Sequence, residues 1–258
     1  MYRFFGTTQI EVYMLSGIAV STLLAVVFGY ISSRNTRLYF SILTLALSQV
    51  VHVVVLFLIK YFAFFNGIEP GFALRVRRPT ILGMDLSPLS FREYQTVMYY
   101  VILAAFPVLL FVMWKIVNSP FGAALKAIRE NDLRAESSGI PVKRYVWYAF
   151  ILSGFYAGVA GALFAQASQV AAPRIIHWIF SIELVVMVIL GGYKTFIGPI
   201  LGAATYTILN TAVFSFTVYW RFLLGVLVVV LGLMFPEGII GVVRGAPRRM
   251  RVKGVEKL

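Results

Sequence analysis

The stretch from Val12 to Ser33, VYMLSGIAVSTLLAVVFGYISS, contains no Asp, Glu, Lys or Arg. It is longer than the roughly 18 apolar residues needed to cross a hydrocarbon core about 30 Å thick. Similar runs follow along the chain: Leu38 to Ile59, Tyr94 to Trp114 and Tyr145 to Pro173. A shorter one from Ile175 to Tyr193 is interrupted by Glu183, and Thr195 to Trp220 and Phe222 to Phe235 complete the series. Inside lipid every backbone N–H and C=O must be paired within the structure, and these runs far exceed the roughly 10 alternating residues of a barrel strand. The expected fold is therefore an all-α integral membrane protein, a polytopic bundle of about seven transmembrane helices forming one domain over residues 1–258.

Composition agrees. Of 258 residues, 60% are hydrophobic and 13% charged, and the mean hydropathy is +0.87, whereas soluble domains carry about 25% charge. No cysteine is present, which removes disulfides, thiol catalysis and Cys metal sites. The net charge of +13 reads as membrane topology and affinity for anionic lipid headgroups. No nucleic-acid partner is expected, since no motif for one accompanies the charge. Met1 to Glu11 offers one Arg and no small-residue cleavage site, so no removable signal peptide is expected.

Lys and Arg concentrate in short cytoplasmic loops. Lys115, Lys126, Arg129, Arg134, Lys143 and Arg144 mark one loop, and Arg244, Arg248, Arg249, Arg251, Lys253 and Lys257 mark the tail 241–258. Four runs separate them, an even number, so both fall on the cytoplasmic side. Arg34, Arg37 and Lys194 then lie inside as well, while Met1, the 66–93 loop and the 168–177 loop lie outside. Arg75, Arg77, Arg78 and Arg92 in the outer loop depart from the rule, partly offset by Glu69, Asp85 and Glu93.

Small residues mark where helices touch. Gly154, Gly158 and Gly161 fall near one helix face, and Gly198 and Gly202 form a GxxxG pair. Close helix packing explains them, and a solute path lined by bare backbone is the alternative. Gly191, Gly192, Gly198 and Pro199 are denser than packing requires, which suggests a broken or re-entrant stretch on that path.

The cytoplasmic loop 118–143 contains an amphipathic segment. Ser119 is a candidate cap, Pro120 suits the first helical position, and Phe121, Ala124, Leu125 and Ile128 recur at helical spacing, with Gly139 and Pro141 as a stop. Lys126, Arg129, Glu130 and Asp132 mix both signs. That mixture suits a protein partner better than anionic lipid, where a face of one sign is expected. A plain connecting helix at the interface is the alternative.

FGAALKAIRENDLRAESSGIPVKR (Phe121 to Arg144) resembles the coupling loop of permease subunits from the branched-chain amino acid class of ABC importers. LSGFYAGVAGALFAQ (Leu152 to Gln166), SIELVVMVILGGYKTFIGPILGA (Ser181 to Ala203) and MFPEGIIG (Met234 to Gly241) are similar to later motifs of that family, and RNTRLYFSILTLALSQVV (Arg34 to Val51) to an earlier one. The matches run in order over about 200 residues. Two features depart from the pattern. The Ser-Leu-Gly and Gly-Ala-Tyr segments that open family members do not precede Val12, which implies a shortened start or one drawn too late, and Asn66 to Gly71 stands where a Thr-Gly-Gly-rich stretch is usual.

The resemblance implies a partnership. Two ATPase subunits would hold ATP and Mg, with no cofactor on this chain, and indeed no G-x-x-x-x-G-K-[ST] occurs in it. Phe121, Gly122, Leu125, Ile128, Arg129, Glu130, Asp132, Arg134, Glu136 and Gly139 would couple to them. A second, homologous permease subunit and an external solute-binding protein would complete the importer in a prokaryotic inner membrane, with the C-terminus cytoplasmic. Branched-chain amino acids are the implied solute, alongside urea, short amides and other small polar solutes carried by related permeases.

Glu183 is an acid within an apolar run and so a candidate on the solute path, with an interfacial or packing role and pairing with Arg174 as alternatives. His52 is expected to hydrogen-bond between helices, and His177 to sit at the interface beside Trp178. An ion-coupled secondary transporter or channel is the alternative class, although no internal repeat is visible. An intramembrane enzyme is disfavoured because H-E-x-x-H, G-x-S-x-G and paired intramembrane carboxylates are missing from the sequence.

Overall fold

The computed structural model describes residues 9–34, 37–65, 74–75, 80–81, 84–86, 88–171, 173–193 and 195–216, together with 219, 222–223, 225–226 and 238. The expected seventh run and the basic tail 241–258 lie almost wholly outside these residues, as does Lys194. Among the described residues the fold is helical: α1 (Ile10–Ser32), α2 (Arg37–Phe65), α3 (Phe91–Val117), α4 (Pro120–Glu130), α5 (Asp132–Ser137), α6 (Val142–Ser168), α7 (Trp178–Gly191) and α8 (Gly198–Phe216). Two antiparallel ladders of two residues each add no sheet layer. β1 (Leu74–Arg75) pairs with β4 (Val170–Ala171), and β2 (Thr80–Ile81) with β3 (Met84–Asp85).

Among the described residues four helices are long and apolar enough to cross a membrane: α1, α2 over Tyr39–Tyr61, α3 and α6. Their outer surfaces are apolar and bare, with Leu15 67%, Ile42 66%, Phe57 65% and Val108 63% exposed. Contiguous apolar surface on this scale is foreign to a soluble monomer. The chain is a multi-pass helical membrane protein.

It divides into two compact units, Met1–His177 and Trp178–Leu258. In the first, α1 and α6 lie antiparallel in the most extensive helix pair. Lipid offers no hydrophobic drive for helices to associate, so small residues and interhelical hydrogen bonds hold them. Gly17, Ser21, Ala25 and Gly29 recur every fourth residue on α1 and face α6. A Cβ on Gly154 would stand 2.2 Å from the Ala25 Cβ, and one on Gly158 would stand 2.9 Å from the Ser21 Cβ. Ser21 Oγ donates to the Gly154 carbonyl at 2.8 Å, and Trp147 Nε1 to the Val26 carbonyl at 3.0 Å. Among the described residues, a Cβ on Gly161 would meet nothing within 4 Å.

Toward the N-terminus of α1, Ile10, Leu86, Tyr94 and Met98 form a buried cluster. The Tyr94 hydroxyl donates to the Gln166 carbonyl at 3.0 Å, joining α3 to the end of α6. Glu93 accepts from the Ser90 N–H at 2.7 Å and so fixes the start of α3.

The second unit contains a helical hairpin. Its first arm, α7, has 14 residues and is about 21 Å long. Gly192, at φ +103, ends it in a conformation that L side chains rarely adopt. A short turn bonded through Thr195 leads into α8.

Gly154→Ala forces two side chains together, at a cost of about 1–3 kcal/mol, whereas Gly161→Ala enters open space and gains helix propensity. The thermal midpoint of the detergent-solubilised protein should fall for Gly154→Ala and hold or rise for Gly161→Ala. Equal responses would contradict the α1–α6 contact.

Candidate functional site

The polar loop between α3 and α6 is built as a rigid bracket. Ser119 Oγ donates to the Ile116 carbonyl at 2.7 Å and accepts from the Gly122 N–H at 3.5 Å, with Pro120 opening α4. A Cβ on Gly122 would lie 2.1 Å from the Val117 carbonyl oxygen. Only glycine lets α4 fold back this tightly on α3. Phe121 stacks on Tyr145 of α6, centroids 5.5 Å apart and planes at 18°.

The amphipathic segment is two helices, not the single one its spacing suggested. Asn131 is extended (φ −157°, ψ 108°), and its Oδ1 accepts from the Arg134 N–H at 3.0 Å, capping α5. An Asn inside an apolar repeat competes for backbone in this way. At the far end Gly139, at φ +85, closes a Schellman motif. Its N–H bonds the Glu136 carbonyl at 2.9 Å, and the Ile140 N–H bonds the Ala135 carbonyl at 3.1 Å.

The expected coupling residues are thus divided. Gly122 is buried, and Phe121, Leu125, Ile128 and Asp132 are half-buried against the bracket. Arg129, Glu130, Arg134, Glu136 and Gly139 are exposed. Leu133, which the apolar spacing did not single out, is 71% exposed among these charges. The signal was a leucine next to Asn131-Asp132, outside the repeat. Between the bracket and the end of α1 lies a cleft of about 510 Å³ whose lining includes Arg34, Arg129, Asp132, Glu136 and Lys143. Its mixed charge matches the exposed face.

In the hairpin the path candidates converge on bare backbone. A Cβ on Gly191 would meet the Gly198 carbonyl oxygen at 1.7 Å, one on Gly202 the Met187 carbonyl oxygen at 1.9 Å, and one on Gly198 the Gly192 carbonyl oxygen at 2.1 Å. Gly238, at φ +74, closes on Gly192, where a Cβ would lie 2.4 Å from the Gly192 Cα. Pro199 is the second residue of α8 and is half-buried. Glu183 is half-buried in α7, one turn from Val186 and Met187, which pack on Leu190 and Tyr206. The Arg174 side chain lies outside the described residues. The two histidines, expected to act apart, are in contact.

A family model described as "Branched-chain amino acid transport system / permease component" matches residues 2–232. The chain is 26% identical over 223 residues to the high-affinity branched-chain amino acid transport system permease protein LivM of Escherichia coli (strain K12), covering 80% of this chain and 51% of that protein. The LivM protein of Salmonella typhimurium is 26% identical over 242 residues, 87% of this chain and 56% of its own. A probable permease protein LivH of Methanocaldococcus jannaschii is 28% identical over 171 residues, 62% of this chain and 52% of its own. The chain spans about half the length of these curated relatives. No solved structure matches.

Gly122→Leu would drive a side chain into the Val117 carbonyl and loosen the bracket. At an overpacking cost of about 1–3 kcal/mol, tryptic cleavage after Arg129 and Arg134 should quicken by about tenfold. Unchanged cleavage would show that α4 is not braced by this turn.

Proposed function

The chain belongs to the branched-chain amino acid transport system permease family, and on that footing we propose that it is the membrane-spanning subunit of an ATP-driven importer. Its solute is a branched-chain amino acid or a similar small polar molecule delivered by an external binding protein. Two ATPase subunits bind and hydrolyse ATP with Mg and seat on the α4–α5 bracket. A second, homologous permease subunit completes the pathway, and the pair sits in a prokaryotic inner membrane.

About seven spans cross the bilayer. The four long helices are the crossing segments of the first unit, α7 and α8 form a short span pair, and Phe222 to Phe235 the last. The C-terminal tail and the bracket share the cytoplasmic side, as the Lys and Arg distribution favours. Glu183, Gly191, Gly192, Gly198 and Pro199 line or support the solute path. Gly154, Gly158 and Gly202 serve helix contact, whereas Gly161 meets no neighbour among the described residues.

The observation that carries this proposal is the bracket itself: an exposed face of both signs, Arg129, Glu130, Arg134 and Glu136 around Leu133, on helices anchored to α3 and α6 by Gly122 and Phe121. A charged rim about an apolar anchor is a protein-docking surface. Because both helices end on transmembrane helices, force applied to the bracket passes directly into the membrane region.

The swap Arg129→Glu with Glu130→Arg keeps composition and reverses the local charge order. Co-expressed with the neighbouring genes, the native chain should retain an ATPase subunit through purification. The variant, equally monodisperse, should lose most of it, since misplaced charge at an interface costs several kcal/mol. A native chain that recruits no ATPase would contradict the importer.

A further inference from the structure

His52 and His177 are the chain's two histidines, and the fold brings their rings together, with centroids 5.0 Å apart and planes at 83°. Both are half-buried. His52 Nδ1 is fully enclosed and has no hydrogen-bond partner among the described residues. Leaving such a nitrogen unpaired costs about 1–3 kcal/mol, and a buried orphan of this kind calls for a water, an ion or a functional reason.

The position adds weight. His52 stands about 20 Å along the Tyr39–Tyr61 span, beyond its midpoint. His177 follows the single 3-10 turn Pro173–Ile176, which packs on α2. The loop leading to α7 therefore reaches into the membrane-crossing part of α2. Ionisable side chains at such depth are retained for function by default.

The separation is also compatible with a cation shared between the rings. A cation bound 2.0–2.1 Å from one nitrogen of each ring at a tetrahedral angle places the two centroids about 5 Å apart. The geometry points to His52 and His177 as a two-imidazole site for a borderline divalent transition-metal cation of the Zn²⁺ or Cu²⁺ class. Imidazole selects these metals over Mg²⁺ and Ca²⁺, which prefer oxygen. Among the described residues no cluster of three or more His, Cys, Asp or Glu forms, so the two imidazoles are the nitrogen ligands offered there. Gln49, one turn before His52 on α2, has an enclosed amide Nε2 without a partner among the described residues. A half-turn of that amide puts an oxygen in its place as a weaker third ligand. A bound cation would tie α2 to the residue that precedes α7.

This inference stands on the ring geometry and not on the transport proposal. The sequence makes the test clean, because 258 residues with no cysteine and two histidines offer no other imidazole or thiolate. The full-length chain, purified without a polyhistidine tag, is titrated with Cu²⁺ and followed by electron paramagnetic resonance. One Cu²⁺ per chain with two coordinated imidazole nitrogens is expected, displaced by Zn²⁺ only when Zn²⁺ is in large excess. His52→Phe and His177→Phe, which preserve ring volume, should each weaken binding by about tenfold or more and leave one nitrogen. A native spectrum with fewer than two imidazole nitrogens, or folded variants that bind as the native chain does, would overturn the site. Should a variant not fold, the nitrogen count of the native protein decides alone.

Discussion

The approach of one helix backbone to another through positions without side chains is the contact on which the rest of this structure depends. Between helices in lipid, burying apolar side chains gains nothing, because the surrounding tails are equally apolar. Cohesion comes from dispersion at close range and from the few hydrogen bonds that close approach permits. At Gly154 and Gly158 the α6 backbone reaches Ala25 and Ser21, near enough for Ser21 to bond the Gly154 carbonyl. At Gly191, Gly198 and Gly202 the two arms of the hairpin touch carbonyl to Cα, a geometry in which weak C–H···O contacts also contribute. The same device at Gly122 locks α4 against the last turn of α3.

These contacts make the first unit mechanically continuous. The bracket is joined to α3 by the turn at Ser119 and Gly122, and to α6 by the Phe121–Tyr145 stack and the Gly139 motif. Further along, α6 is bonded to α1 and through Tyr94 to α3 again. Close-packed interiors transmit displacement instead of absorbing it. The exposed polar face of α4 and α5 therefore moves with the membrane helices.

Much of this was legible from residue order. Charge-free runs placed the ends of α1, α2, α3 and α6 to within six residues, because a bilayer sets a minimum length and excludes charge. Ser119-Pro120 and Gly139 announced the ends of the polar segment through local backbone chemistry. The break at Asn131 was less legible, since Asn is tolerable inside a helix and becomes a cap only when the backbone can bend there. The stripe Gly17, Ser21, Ala25, Gly29 was present at a spacing of four but lay in a run where small residues are common, and which of them meet α6 depends on the partner helix. The His52–His177 contact joins residues far apart in sequence. No pattern within either segment encodes it.

The central claim is that force from a partner ATPase enters through the bracket, and a photo-crosslinking amino acid placed at Leu133 tests it most directly. Leu133, 71% exposed, lies on the polar face, while Val108, 63% exposed, lies within the membrane-crossing length of α3 and serves as the control. In membranes containing the co-expressed subunits, the account predicts an adduct between this chain and an ATPase subunit from position 133 and none from 108. An adduct from both positions, or from neither while the ATPase co-purifies, would contradict it.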